Sequence, residues 1–195
     1  MSVTQSAVHP QNIVLGSLGI VTGAAQQTRL VTPYQNVMPA LVAHWNAPVA
    51  KQRTMIYGDT DPEFFKAFVA NVKRGVDSRV IFDRSQGCGP TEKAQIEWIV
   101  SQGLVDGKDF VIGTSPESGQ IVHIKACWND DQHVEDGSLN YSPSALKQIN
   151  TVCFSDWPAW AQYLNTVFDE TWQFILTNEQ KYQFASGQIP TEQAE

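Results

Sequence analysis

From Gln52 onward, short apolar strand-like runs alternate with amphipathic helix-like runs. That pattern constrains the fold more than any other feature, because it is the signature of an α/β domain with a sheet flanked by helices. The strand-like segments are Thr54 to Tyr57, Arg79 to Phe82, Phe110 to Ile112, Ile121 to Ala126 and Thr151 to Phe154. Asp61-Pro62 opens a helix with Phe64, Phe65, Phe68, Val69 and Val72 on one face, and Gly75 stops it. Gln86 to Pro90 reads as a loop, after which Thr91 caps a helix that turns Ala94, Trp98 and Ile99 inward and ends at Gly103. A long helix runs from Trp157 to Leu176 and carries Trp160, Ala161, Leu164, Phe168 and Trp172. At about 150 residues per domain, the 195 residues amount to one domain with terminal additions. The expected division is an N-terminal arm at 1–30, a domain at 31–182 and a flexible polar tail at 183–195.

A hydrophobic fraction of 42% and a charged fraction of 17% exclude a disordered chain or a coiled coil. Thirteen basic against twenty acidic residues give a net charge of −7, so there is no overall basic field and any phosphate site must be local. Cys88, Cys127 and Cys153 are odd in number and lack paired spacing, which argues against a disulfide framework or a structural zinc site; no metal or cofactor is expected, and a reducing, cytoplasmic setting is favoured. The apolar run Ile13 to Ala25 is broken by Ser17, Thr22 and glycines 16, 19 and 23, and no cationic start precedes it. It reads as an arm or edge strand, not as a membrane span, with an uncleaved anchor, and hence export or membrane association, as the alternative.

Chemistry concentrates in Val122 to Asp130, followed by Gly137-Ser138-Leu139-Asn140. Strand alternation projects His123 and Lys125 from one face, a nucleophile beside a cation. A turn after Asp130 brings back Gly137, Ser138 and Asn140, a small backbone, a hydroxyl and an amide, so the set suits an oxyanion. Each residue alone has a bland explanation, such as a hydrogen-bonded histidine, a solvated lysine or a simple turn. Six specified residues at about one in twenty each arise by chance only on the order of a few times in a million chains of this length. Cys127 falls on the Lys125 side of the strand and is expected to line the same pocket.

At these residues the chain resembles the phospholipase D superfamily, whose signature is His-x-Lys, four residues, Asp, six residues, Gly-Ser and an Asn two beyond. His123, Lys125, Asp130, Gly137, Ser138 and Asn140 fill every place. Residues 60–83 look like the helix and strand that precede the motif in small bacterial members, and Asn150 to Ala161 is similar to a segment of the single-motif, Nuc-type endonucleases. The resemblance covers residues 50 to 178 and implies a phospholipase D-like mixed sheet flanked by helices. It also implies a metal-independent, two-step displacement at phosphorus: one histidine forms a phosphohistidine, and a second protonates the leaving alcohol and then activates water. In this reading His123 is nucleophile or acid, Lys125 and Asn140 hold the nonbridging oxygens with Gly137 at the substrate, Ser138 positions a histidine or phosphate oxygen, and Asp130 orients the local structure.

The chain carries one such motif where the mechanism needs two, since His9, His44 and His133 lack the spacing. A homodimer with the His123 strands about a two-fold axis supplies the second copy. In the single-motif endonucleases an acidic residue usually precedes the position of Asn150, where it supports the histidine; here that place is Ile149, with Asp131 and Asp136 as nearby substitutes. DNA or RNA is the favoured substrate, with Lys73, Arg74, Arg84 and Lys93 as candidate local cations. The alternatives are a lipid phosphodiesterase or phosphatidyl transferase, for which Trp157 and Trp160 are the aromatic cue, and a catalytically silent nucleic-acid-binding or assembly module.

Overall fold

A computed structural model describes residues 26–116 and 120–178. The run Ile13 to Ala25 and the tail after Asn178 lie outside the described residues. In chain order the elements are β1 Gln26–Thr32, α1 Met38–Asn46, β2 Lys51–Ile56, α2 Pro62–Lys73, β3 Asp77–Asp83, α3 Arg84–Gly87, α4 Pro90–Ser101, β4 Phe110–Gly113, β5 Lys125–Asn129, β6 His133–Gly137, β7 Asn150–Asp156 and α5 Pro158–Asn178. They form one seven-stranded mixed sheet in the order β1-β7-β6-β5-β2-β3-β4. β2, β3 and β4 run parallel, and every other neighbour pair is antiparallel.

Local chemistry accounts for the elements. The Asp61 carboxylate accepts from the Glu63 amide at 2.9 Å, and Pro62 occupies the first turn of α2, so a donor that would otherwise be orphaned is satisfied. Gly75, at φ +88°, takes the left-handed conformation that ends the helix. One sheet face packs Ile56, Val80 and Phe82 against Leu41 and Trp45 of α1, Phe64 and Phe68 of α2, and Ile96 and Ile99 of α4. The other packs Met55, Ile81, Val111, Trp128 and Val134 under Leu164, Phe168 and Trp172 of α5. Both faces of β2 and β3 are covered, which explains their near-continuous apolar character.

Several expectations are corrected. The sheet begins inside the segment read as an arm, because Gln26–Thr32 pairs with β7. The second helix starts from Gly89 with Pro90 in its first turn, not from Thr91, and its inner face is Glu92, Ile96 and Ile99, leaving Trp98 37% exposed. A Pro in the first turn moves the start two residues back and rotates the apparent stripe. Gln86 and Gly87 belong to the short α3. β5 starts at Lys125, four residues later than the apolar run suggested. Cys127 is fully buried in the core beside Ile56 and Leu139, and burial pushes its thiol far up, so it lines no pocket.

The registers bring one set of strand ends together. Ile56 lies opposite both Lys125 and Phe82, Ala126 opposite Asp136, Gly137 opposite Val152 and Thr32 opposite Asn150. Gly137 is the tightest point there, since a Cβ built on it would stand 2.1 Å from the Thr151 carbonyl oxygen. Gly137→Ala therefore forces β6 and β7 apart, and chemical denaturation is expected to show a loss of about 3 kcal/mol, the upper range of overpacking. Unchanged stability would mean that the two strands separate without cost.

Candidate active site

The site grows from the strand ends just described. Lys125 is the first residue of β5, only 4% exposed, and its Nζ donates to the His123 carbonyl oxygen at 2.7 Å. The ammonium also lies 4.8 Å from the centre of the Tyr57 ring, a favourable placement over a π face. Burial lowers the Lys125 amine to about 8, opposed by the nearby Asp83 carboxylate. His123 is exposed on the extended segment before β5, with its imidazole 4.8 Å from the same Tyr57 ring. Tyr57 thus touches both motif side chains, and Gln86 fixes its hydroxyl with an amide donor at 3.1 Å.

Asp83, at the end of β3, is fully buried and holds the segment from below. It accepts from the Val122 amide at 2.6 Å and from the Ser85 amide and hydroxyl at 2.9 and 2.6 Å. One carboxylate therefore fixes the backbone next to His123 and supplies negative potential that favours the charged form of Lys125 against the larger effect of burial.

The second half of the motif meets this from β6. The Ser138 hydroxyl donates to Asn150 Oδ1 at 3.1 Å and accepts from the Thr151 amide at 3.0 Å, so it locks the β6–β7 junction. Asn140 is half-buried and packs against Gly58, where an added Cβ would sit 3.6 Å from Asn140 Cγ. Its Oδ1 is buried without a hydrogen-bond partner. Gly58, Gln86, Glu92, Asn140 and Ser142 line a cleft of about 530 Å³ beside the motif.

Asp130 stands at the opposite end of β5. Its carboxylate accepts from the amides of Val49, Ala50 and Lys51 at 2.9, 2.8 and 2.9 Å, and these bonds hold it below the usual carboxylate range against the opposing effect of burial. The motif Asp thus pins the entry to β2, while His123, Lys125, Gly137, Ser138 and Asn140 gather at the other end.

Other expected contributors are located elsewhere. Asp131 pairs with Lys51 at 2.8 Å and accepts from Asn165, while Asp136 accepts from the Trp160 indole at 2.9 Å. Neither substitutes for the acid missing at Ile149, which is 72% exposed. Lys73 and Arg74 lie at the far end of α2, where Arg74 donates to the Asn46 and Pro48 carbonyls, so they do not gather at the motif. Trp157 and Trp160 lie with ring centroids 6.1 Å apart, tilted by 37°, and are both half-buried. Among the described residues no helix is long and apolar enough to cross a membrane. Tyr57, Asp83 and Gln86 escaped sequence reasoning because their roles come from two different strand ends, those of β2 and β3; the sole hint was their position at or just after the ends of strand-like runs.

A family model described as cardiolipin synthase, PLD-like domain, matches residues 49–172. The chain belongs to the phospholipase D superfamily. Membership places it among phosphodiesterase-type enzymes, and solved structures agree on the fold. The phospholipase D family member Nuc from Salmonella typhimurium superposes with a TM-score of 0.66 at 22% identity, covering 77% of this chain and 95% of that one. NucT from Helicobacter pylori gives 0.65 at 16% identity, covering 77% of this chain and 97% of that one. Phosphatidylserine synthase from Haemophilus influenzae gives 0.54 at 11% identity, covering 83% of this phospholipase D superfamily chain but 41% of its own. No curated protein matches the sequence.

Proposed function

We propose that the protein is a homodimeric, metal-independent nuclease that cleaves DNA or RNA through a phosphohistidine on His123. The observation that carries the reading is an exposed imidazole and a buried lysine that both pack on the Tyr57 ring, in a chain with one motif. A neutral His123 nitrogen attacks phosphorus, and the bond to the leaving oxygen breaks. The partner subunit's His123, as imidazolium, gives that oxygen its proton. Water then attacks the phosphohistidine, the same imidazole accepts the water proton, and the phosphorus–nitrogen bond breaks to free His123. Lys125 and the Asn140 amide stabilise charge on the nonbridging oxygens throughout.

Two further features support a second copy. Tyr34 and Ile149 are 77% and 72% exposed at the motif end of the sheet, and Ile121 is exposed two residues before His123. Apolar side chains around a reactive end suit a self-complementary contact. Nucleic acid is favoured because the sequence resembles the Nuc-type nucleases and the folds of Nuc and NucT are the same over nearly their whole lengths. Arg84 and Lys93 follow β3 and lie on the motif side of the sheet, where they suit a phosphate backbone.

The test is hydrolysis of single- and double-stranded DNA, RNA and phosphatidylcholine vesicles in EDTA by wild type and His123→Ala. EDTA-resistant nucleic-acid cleavage that falls about 10³-fold in the variant supports the reading. Lipid turnover alone moves the substrate to a phospholipid, and silence from a folded dimer leaves a binding or assembly module.

A further inference from the structure

Next to the motif, the protein buries two carboxyl groups that the phosphoryl-transfer chemistry does not use. Asp59, in the loop between β2 and α2, is 0% exposed, and Glu92, in the first turn of α4, is 3% exposed. Glu92 Oε2 accepts from the Asp59 backbone amide at 2.9 Å, so the Glu92 carboxyl is anchored on the Asp59 main chain. Asp59 Oδ1 accepts from the Asp61 amide at 3.1 Å. The remaining oxygen of each, Asp59 Oδ2 and Glu92 Oε1, is buried without a partner. Two neighbouring buried carboxylates with an orphaned oxygen apiece are unstable if both are ionised, and protonation of either one removes the like-charge repulsion.

The pair is wired to Asn140. Glu92 holds the backbone of Asp59, and the same loop is tied to Tyr141, whose carbonyl accepts from the Thr60 and Asp61 amides at 2.7 and 2.9 Å and whose amide donates to Gly58 at 3.0 Å. Gly58 in turn is the backbone on which Asn140 rests. We propose that the Asp59–Glu92 pair retains a proton and that the two act as positioning residues, Glu92 clasping α4 to the Gly58–Asp61 loop through the Asp59 amide and thereby setting Asn140.

The surrounding charges favour retention of that proton. Asp61 on the same loop and Asp83 at the end of β3 add negative potential, Tyr141 from the β6–β7 loop is engaged as a donor to Glu135, and Lys93 follows Glu92 on α4. Burial raises both acids, Glu92 to about 8 and Asp59 well above the carboxylate range with Glu92 as a further cause. Loss of the proton in alkaline solution leaves two buried like charges, and their repulsion opens the clasp.

Lys125 titrates in the same region, so activity alone does not isolate the clasp, and the inference rests on the phosphodiesterase reading only for its effect on turnover. The test is NMR of the full chain: carboxyl 13C resonances of Asp59 and Glu92 and the side-chain amide of Asn140, from pH 5 to 10, in wild type and Glu92→Gln. The expected result is carboxyls that stay partly protonated at neutrality, an Asn140 amide that shifts with them, and loss of that shift in Glu92→Gln, which keeps the shape without the titration. A kcat/KM falling about 10- to 100-fold in Glu92→Ala and recovering in Glu92→Gln is the matching kinetic signature, the size expected for a contact group displaced by up to about 1 Å. Titration of both carboxyls near pH 4 would overturn the proposal, as would Mg²⁺ shifting both carboxyl resonances at pH 7, which would assign the orphaned oxygens to a cation. The resonances report on the clasp even in a protein that cleaves nothing, so failure of the clasp and failure of the nuclease reading are told apart.

Discussion

Mixing wild-type subunits with excess His123→Ala subunits is expected to abolish nuclease activity in proportion to the hybrids formed. If the site needs one His123 as nucleophile and a second as acid, a hybrid dimer lacks one of the two in either orientation. At equal amounts of the two subunits and free exchange, about one quarter of the dimers are wild type, so activity should fall to about one quarter of the undiluted value per total protein. A hybrid with full activity per intact histidine would give about one half instead. The two outcomes differ by a factor of about two, well within the reach of a single-turnover assay. Size-exclusion chromatography with light scattering provides the control, since His123 is exposed on an extended segment and its truncation removes no core contact. The same measurement probes the missing acid at Ile149: if the imidazole is held by Tyr57 instead of a carboxylate, Tyr57→Leu lowers the wild-type rate without altering the one-quarter rule.

How much of this was legible in the chain depends on the range over which each feature is encoded. The first helix after β2 is written locally: Asp61, Pro62 and Gly75 are its cap, first turn and stop, and all three act in the structure as the sequence indicates. The motif residues are legible because the chemistry demands fixed types at fixed spacing, yet their division of labour is not. Asp130 reads as a neighbour of His123 in sequence but sits at the other end of β5, because a five-residue strand separates the two ends by its length. Lys73 and Arg74 mislead for a similar reason, since a helix between parallel strands carries its last turn away from the reactive ends. Tyr57, Asp83 and the Asp59–Glu92 pair were invisible because each matters through a contact more than thirty residues distant in sequence, which no periodicity records. Glu92 is the sharpest case: a charged residue in the first turn of a helix ordinarily reads as solvated, and here it is buried.

Lys125 is expected to set the alkaline edge of the reaction. It must be an ammonium to neutralise phosphoryl charge, and burial lowers it to about 8, so the rate should be flat below that value and fall as pH rises through it. Asp83 opposes the lowering; Asp83→Asn removes that support while keeping an acceptor for the Val122 amide, and the alkaline edge should move to lower pH. The stability consequence has the opposite sign. A lysine whose folded value lies below its unfolded one favours the neutral form in the folded state, so its burial penalty is full below about 8 and is relieved as pH rises from there toward the ordinary lysine range. Lys125→Met should therefore lose activity by about 10³-fold while melting at a higher temperature than wild type at pH 7, the pattern of a site that holds a charge at the expense of the fold. Thermal melts at pH 7 and pH 10 check the sign, because the advantage of the methionine should shrink at the higher pH. A variant that is both inactive and less stable at pH 7 would show that Lys125 holds the fold through its bond to the His123 carbonyl, and that its burial carries no net cost.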